Sequence, residues 1–189
     1  MRKSILGLGA AALLFSTYVL AQGKSVGMVR TDTVPAIDGK LDDAVWAQAA
    51  VIDDFLQIRP GDGTPPSDRT EVYLLYDKDA LYVGARMWDS GSPHDVTRNV
   101  MKQGNTLAEE DRLAIVLDPF NSGRSGYRFE VNANGVRNDM LYVNNQLQSE
   151  WTVIWEAARD CAGRERTGWV AFGHGVVPKG IGERGWRRL

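Results

Sequence analysis

Tyr127-Arg128-Phe129-Glu130-Val131-Asn132-Ala133-Asn134-Gly135-Val136 is the stretch on which the fold turns. Tyr127, Phe129 and Val131 alternate with Arg128, Glu130 and Asn132, the period of two expected of a strand with one face buried and the other wet. Asn134-Gly135 follows, a pair that tolerates the positive φ angles of a tight hairpin turn, and Val136 to Val143 then returns as the next strand. The stretch therefore predicts an antiparallel hairpin whose first strand carries Arg128, Glu130 and Asn132 on its polar face.

The same alternation continues toward the N-terminus. Arg112 to Leu117 reads as a strand with Leu113, Ile115 and Leu117 inward, and Asn121 to Gly126 is loop chemistry. Glu71 to Tyr76 and Leu81 to Trp88 form a second hairpin across the polar Asp77-Lys78-Asp79 break, with Leu81, Val83, Ala85 and Met87 facing one way and Tyr82, Arg86 and Trp88 the other. Pro60 to Asp68 is a surface loop. Leu41 to Ala50 is the one convincing helical turn: Asp42 can cap its start, and Val45 and Trp46 supply an apolar side, which makes Trp46 a core anchor. Thr106 to Asp111 reads as another turn of helix or as an acidic loop. The sum is an all-β, antiparallel protein.

The two ends differ from this middle. Arg2 and Lys3 precede the apolar run Ile5 to Leu20, and the pattern predicts a signal peptide over residues 1–21, cleaved after Ala21; the run is short for a membrane span and no basic cluster follows it. Residues 22–158 then form the domain. Residues 159–189 are an atypical Gly/Arg-rich tail, expected to arise from a frameshift or a truncated gene model. Cys161 is the only cysteine and cannot form an internal disulfide. With 189 residues, 43% hydrophobic and 24% charged, the chain is too apolar for a disordered tail, and a net charge of −2 gives no basic surface for nucleic acid.

Ile37-Asp38-Gly39-Lys40-Leu41-Asp42-Asp43-Ala44-Val45-Trp46, Thr70 to Tyr76, Ala80 to Gly84, Asp111 to Asp118 and the Tyr127 to Val136 block together resemble the family 9 carbohydrate-binding module. More narrowly, they resemble the version at the front of bacterial exported proteins of the DUF5916 type, where an outer-membrane barrel follows. The resemblance covers about Val34 to Ala158. It implies a β-sandwich that binds poly- or oligosaccharide without cleaving it, in the periplasm or outside the cell, partnered by a glycoside hydrolase or an outer-membrane barrel in carbohydrate catabolism. No cofactor is required, although structural calcium in some members leaves a metal open here. The implied sandwich is of immunoglobulin or jelly-roll type; where the family closes it with a Gly-Trp-x-x-Glu strand and an apolar Ile-Pro-Phe segment, this chain departs, with Gly168-Trp169-Val170-Ala171-Phe172 and then the Gly/Arg tail.

A pyranose offers an apolar C–H face that stacks on aromatic rings and a rim of hydroxyls that wants planar polar partners. Trp151 and Trp155, four apart in a stretch read as strand, share one face with Val153. Trp88 shares its face with Arg86 and Tyr82. The candidate ligand-binding residues are therefore Trp88, Arg128, Glu130, Asn132, Trp151 and Trp155, expected to meet in one shallow cleft. The competing expectation for the indoles is burial in the core. Two other roles compete: a periplasmic interaction or plug-like domain of a barrel protein without sugar binding, and part of a glycoside hydrolase. The second would need a carboxylate pair from Glu109, Glu110, Asp111, Glu130 and Asp139, whose separation no motif fixes. His94, His174 and Cys161 form no metal set, and Asp77, Asp79, Asp118 and Asn121 suit turns better than a calcium loop.

Overall fold

A computed structural model describes residues 25–59, 63–91, 96–144 and 146–160 in full, and 165–172 as backbone. The segment read as a signal peptide, His94, Cys161, His174 and the tail beyond Phe172 lie outside the described residues. Among the described residues ten strands follow one another: β1 (Val29–Arg30), β2 (Ala50–Ile52), β3 (Thr70–Tyr76), β4 (Leu81–Trp88), β5 (Arg112–Leu117), β6 (Gly126–Asn132), β7 (Arg137–Val143), β8 (Gln146–Gln148), β9 (Glu156–Asp160) and β10 (Glu165–Phe172).

They make two sheets. The first runs β1-β3-β4-β10-β9, with β2 sharing the β3 edge that β1 uses further along; the second runs β5-β6-β7-β8. All pairings are antiparallel except the short β1–β3 contact. The predicted hairpins stand. Asp77 closes β3–β4, its Oδ1 accepting the Asp79 and Ala80 N–H groups, both at 2.7 Å. At the β6–β7 turn only Gly135 takes a positive φ, of 77°, and Asn134 does not. The loop between Asn132 and Val136 is thus one residue longer than a two-residue turn, with glycine in the left-handed position. Strand pairing also continues past Ala158, because β10 inserts between β4 and β9.

Alternation decides what each face does. Val72, Leu74, Leu81, Val83 and Ala85 of the first sheet meet Leu117, Phe129 and Val131 of the second, a core in which each fully buried large side chain contributes about 1.5–3 kcal/mol. On the outside of the first sheet, Leu75 and Tyr82 are covered by Val45 and Trp46. The helical turn there is a 3-10 helix over Ala44–Gln48. Its cap position falls on Asp43 instead of Asp42, and the Asp43 carboxylate accepts the Ala36 N–H at 2.8 Å instead of capping the helix. Gly39, at φ 90°, passes so close to β9 that a Cβ would stand 2.4 Å from the Arg159 carbonyl carbon, which explains the glycine of the Ile37-Asp38-Gly39 opening.

Candidate functional site

The six predicted residues do not meet in one cleft; they occupy three places. Trp155 is 2% exposed and sits between the sheets, edge-on to Phe129 with ring centroids 5.3 Å apart. Its indole N–H donates to Asp139 Oδ1 at 3.3 Å, and the Asp139 Oδ2 accepts the Val153 N–H at 2.8 Å. Trp151 is half-buried against Tyr127, 5.2 Å away, and Phe129, 6.2 Å away. Residues 151–155 do alternate as the sequence reading has it, without pairing as a strand, but the shared face of Trp151, Val153 and Trp155 is the core face. A sugar cannot reach the Trp155 indole in this arrangement. The cause is Phe129 and Asp139, which face inward at paired positions and offer the indole both a ring edge and an acceptor.

Trp88 lies on the outside of the other sheet. Arg69 stacks over its ring at 4.8 Å, with Arg86 at 6.0 Å. Glu71, buried beside them, pairs with Arg69 and accepts the Tyr73 hydroxyl at 2.5 Å. Burial, then Glu71, pushes the Tyr73 phenol above its ordinary pKa.

Arg128, Glu130 and Asn132 share the outer face of the second sheet, as the alternation predicts. Asn132 is fully committed: its amide NH2 donates to Val100 O and Glu110 Oε2, both at 3.0 Å, while its Oδ1 accepts the Asn134 and Val136 N–H groups at 3.0 and 2.9 Å. No bonding capacity remains for a ligand. Asn134 continues the stitching, donating to the Arg98 and Val100 carbonyls at 2.7 and 3.2 Å. Burial pushes the Glu110 carboxyl up, but the Asn99 and Val100 N–H groups and the Asn132 amide outweigh it, and its pKa falls below the ordinary value. These side chains are thus braces that hold the segment around 97–101 against the β6–β7 turn.

Glu130 and Arg128 are different. Strand register places Arg112 beside Asn132, Ala114 and Asn138 on either side of Glu130, Val116 and Met140 on either side of Arg128, and Tyr142 next to Gly126. Glu130 is buried; its Oε1 accepts from Arg128 Nε and Nη2 at 2.9 and 2.5 Å and forms an ion pair with Arg112 Nε at 3.0 Å. Asn138 approaches the other oxygen at 3.5 Å. Arg128 Nη1 also donates to the Tyr142 hydroxyl at 3.2 Å. Desolvation works against the Arg128 charge, yet Tyr142 and Glu130 more than restore it, so its pKa lies above the ordinary value. The guanidiniums remain partly open, with side-chain exposures of 23% for Arg112 and 26% for Arg128. Ala114, Val116 and Leu147 add exposed apolar surface around them. Sequence reasoning missed Arg112, Asn138 and Tyr142; the signal was present in cross-strand register, which the β5–β6 and β6–β7 hairpins fix once their turns are placed.

Of the carboxylates a hydrolase would draw on, Glu130 and Asp139 do not face each other. Glu130 points outward and Asp139, on the adjacent strand, points into the core. Asp111 Oδ2 is held by the Thr97 N–H at 3.0 Å and Glu110 Oε1 by the Asn99 N–H at 3.0 Å. Asp118 is likewise a turn former, accepting the Gly123 N–H at 2.6 Å. Among the described residues no group of three or more His, Cys, Asp or Glu side chains is placed to hold a metal ion. A groove of about 480 Å³ lies beside the β6–β7 turn, but its cation, Arg137, is engaged with the Trp155 carbonyl and stacks 5.7 Å from the Trp155 ring.

Two sheets packed face to face around one apolar core define a β-sandwich. The chain belongs to the carbohydrate family 9 binding domain-like family, whose model matches residues 37–169. Among solved structures it is similar to a family 9 carbohydrate-binding module from Caldicellulosiruptor kristjanssonii in complex with glucose, at 18% identity and a TM-score of 0.53 over 77% of this chain and 68% of that one. The same organism's module in complex with cellotriose aligns at 19% identity and a TM-score of 0.51 over 79% and 68%. A protein of Bacteroides uniformis ATCC 8492 aligns at 10% identity and a TM-score of 0.63 over 80% and 73%. Among curated proteins none matches the chain.

Proposed function

We propose that the chain is a non-catalytic carbohydrate-binding module of an exported bacterial protein, working in polysaccharide catabolism beside a partner that performs cleavage or transport. The observation that carries this reading is the outer face of β5–β7, where Arg112, Arg128 and Tyr142 surround a buried Glu130 on a family 9 sandwich. Planar guanidiniums and a phenol match vicinal hydroxyls, and Val116 and Leu147 can pack on the C–H face of a ring. Contacts of about 1–3 kcal/mol each give affinities in the micromolar to millimolar range. The apolar segment Ile5 to Leu20 supports export to the periplasm or beyond.

Affinity electrophoresis of the purified chain against cellulose-derived, xylan and pectic glycans tests the proposal. Retardation by at least one glycan, lost in Arg128→Ala with the melting temperature kept, supports it. No retardation by any glycan, with a cooperative melt, counts against it. That result would favour the second reading, a docking domain for an outer-membrane barrel, which is motivated by the exposed Val116, Phe120, Val143 and Leu147 of the same sheet and its adjoining loop.

A further inference from the structure

Resting on the carbohydrate reading above, we infer that the saccharide taken by the outer face of β5–β7 is acidic, with a ring carboxylate of a uronic acid bound between Arg112 and Arg128. The inference comes from counting donors and charges. Both guanidiniums converge on one oxygen, Glu130 Oε1, so their nearest nitrogens stand within about 6 Å of each other with a single anion between them. Like charges this close repel, and a second anion relieves what Glu130 alone leaves unbalanced.

The hydrogen-bond inventory points the same way. A guanidinium carries five N–H groups. Arg128 uses its Nε, one hydrogen of Nη2 and one of Nη1 on Glu130 and Tyr142. Arg112 donates its Nη1 hydrogens to the Leu107, Ala108 and Glu110 carbonyls and holds its Nε in an ion pair with Glu130. The remaining Nη hydrogens of both residues have no partner among the described residues. Acceptors are scarce in the same place: Glu130 is 3% exposed, with its oxygens already occupied. The carboxylates at the two ends of the strands, Glu110 and Asp118, are held by loop N–H groups. Each hydroxyl of a neutral sugar brings an O–H that needs an acceptor, and this face offers few acceptors and donors in excess. A carboxylate is acceptor-only, and its planar two-oxygen geometry matches the guanidinium fork better than a point charge does.

The test titrates the purified full chain with oligogalacturonate, with its neutral counterpart oligogalactose, with cello-oligosaccharide, and with sulfated galactan, at two salt concentrations. The expected result is binding of oligogalacturonate at least tenfold tighter than either neutral oligosaccharide, weakened by salt and reduced about tenfold or more by Arg128→Gln. Arg69→Gln, on the opposite sheet, should leave it unchanged and serves as the folding and charge control. Equal or tighter binding of a neutral oligosaccharide overturns the acidic ligand while leaving carbohydrate binding in place. Tighter binding of the sulfated galactan overturns the carboxylate assignment. Absence of binding to all four, in a chain that melts cooperatively, overturns this inference and the carbohydrate reading together.

Discussion

The second sheet carries a carboxylate and its partners on each of its two faces, and the pairs behave in opposite ways. Inward, Asp139 meets Trp155 and Phe129 in the core; outward, Glu130 meets Arg112 and Arg128 at the surface. Both carboxylates are buried. The difference lies in what their partners have left over. The Trp155 indole has a single N–H donor, spends it on Asp139 and keeps nothing for a ligand, whereas each guanidinium satisfies Glu130 and still holds open donors. Capacity left after the fold is satisfied, not residue type, separates a core anchor from a group able to take a ligand.

The hardest blow to the inner pair is Trp155→Ala, expected to cost about 3–5 kcal/mol in urea unfolding, the range for emptying a buried aromatic site. A cost near zero would place that indole at the surface and erase the contrast. Asp139→Ala comes next, at about 1–3 kcal/mol, because the Val153 N–H and the Trp155 indole both lose their acceptor. In a double-mutant cycle with Trp155→Phe the two losses should be less than additive, and strict additivity would uncouple them. Trp88→Ala on the other sheet should cost about 1 kcal/mol through the lost Arg69 stacking and leave glycan affinity intact. A large drop in affinity would move the site to the Trp88 face.

The smallest effect concerns Glu110. Its folded pKa is depressed, so its contribution to stability is present above the ordinary carboxylate value and fades as pH falls through the folded one. The stability difference between the wild type and Glu110→Gln should therefore be full at neutral pH and shrink toward acid. A difference independent of pH would detach Glu110 from the brace around Asn132.

What could be read in advance follows from how local each signal is. β4 and β5 come out with the boundaries the alternation predicts, because a period of two is written in neighbouring residues. The edge strands β1, β2 and β8 are two or three residues long, too short to show a period, and were not foreseen. For Trp151 and Trp155 the alternation correctly puts the two on one side but is silent on which side is the core. Asn132 looked free because its partners, Val100 and Glu110, come from a loop whose path over the hairpin no local pattern specifies. Arg112 became visible only through register, since it joins Glu130 across the sheet and not along the chain.

The placement of β10 bears on how the molecule is made. In sequence it is the latest of the ten described strands, yet in space it is an interior one, seated between β4 and β9. As the polypeptide emerges during synthesis, β4 must wait with one side of its hydrogen-bonding ladder open while β5 to β9 appear, and β9 has no neighbour in its sheet until β10 arrives. Such late, distant pairing is slow, and it leaves a sticky margin on the nascent molecule throughout the delay. Premature termination before residue 165 would therefore yield a first layer permanently open along β4, a target for quality control instead of a smaller working module.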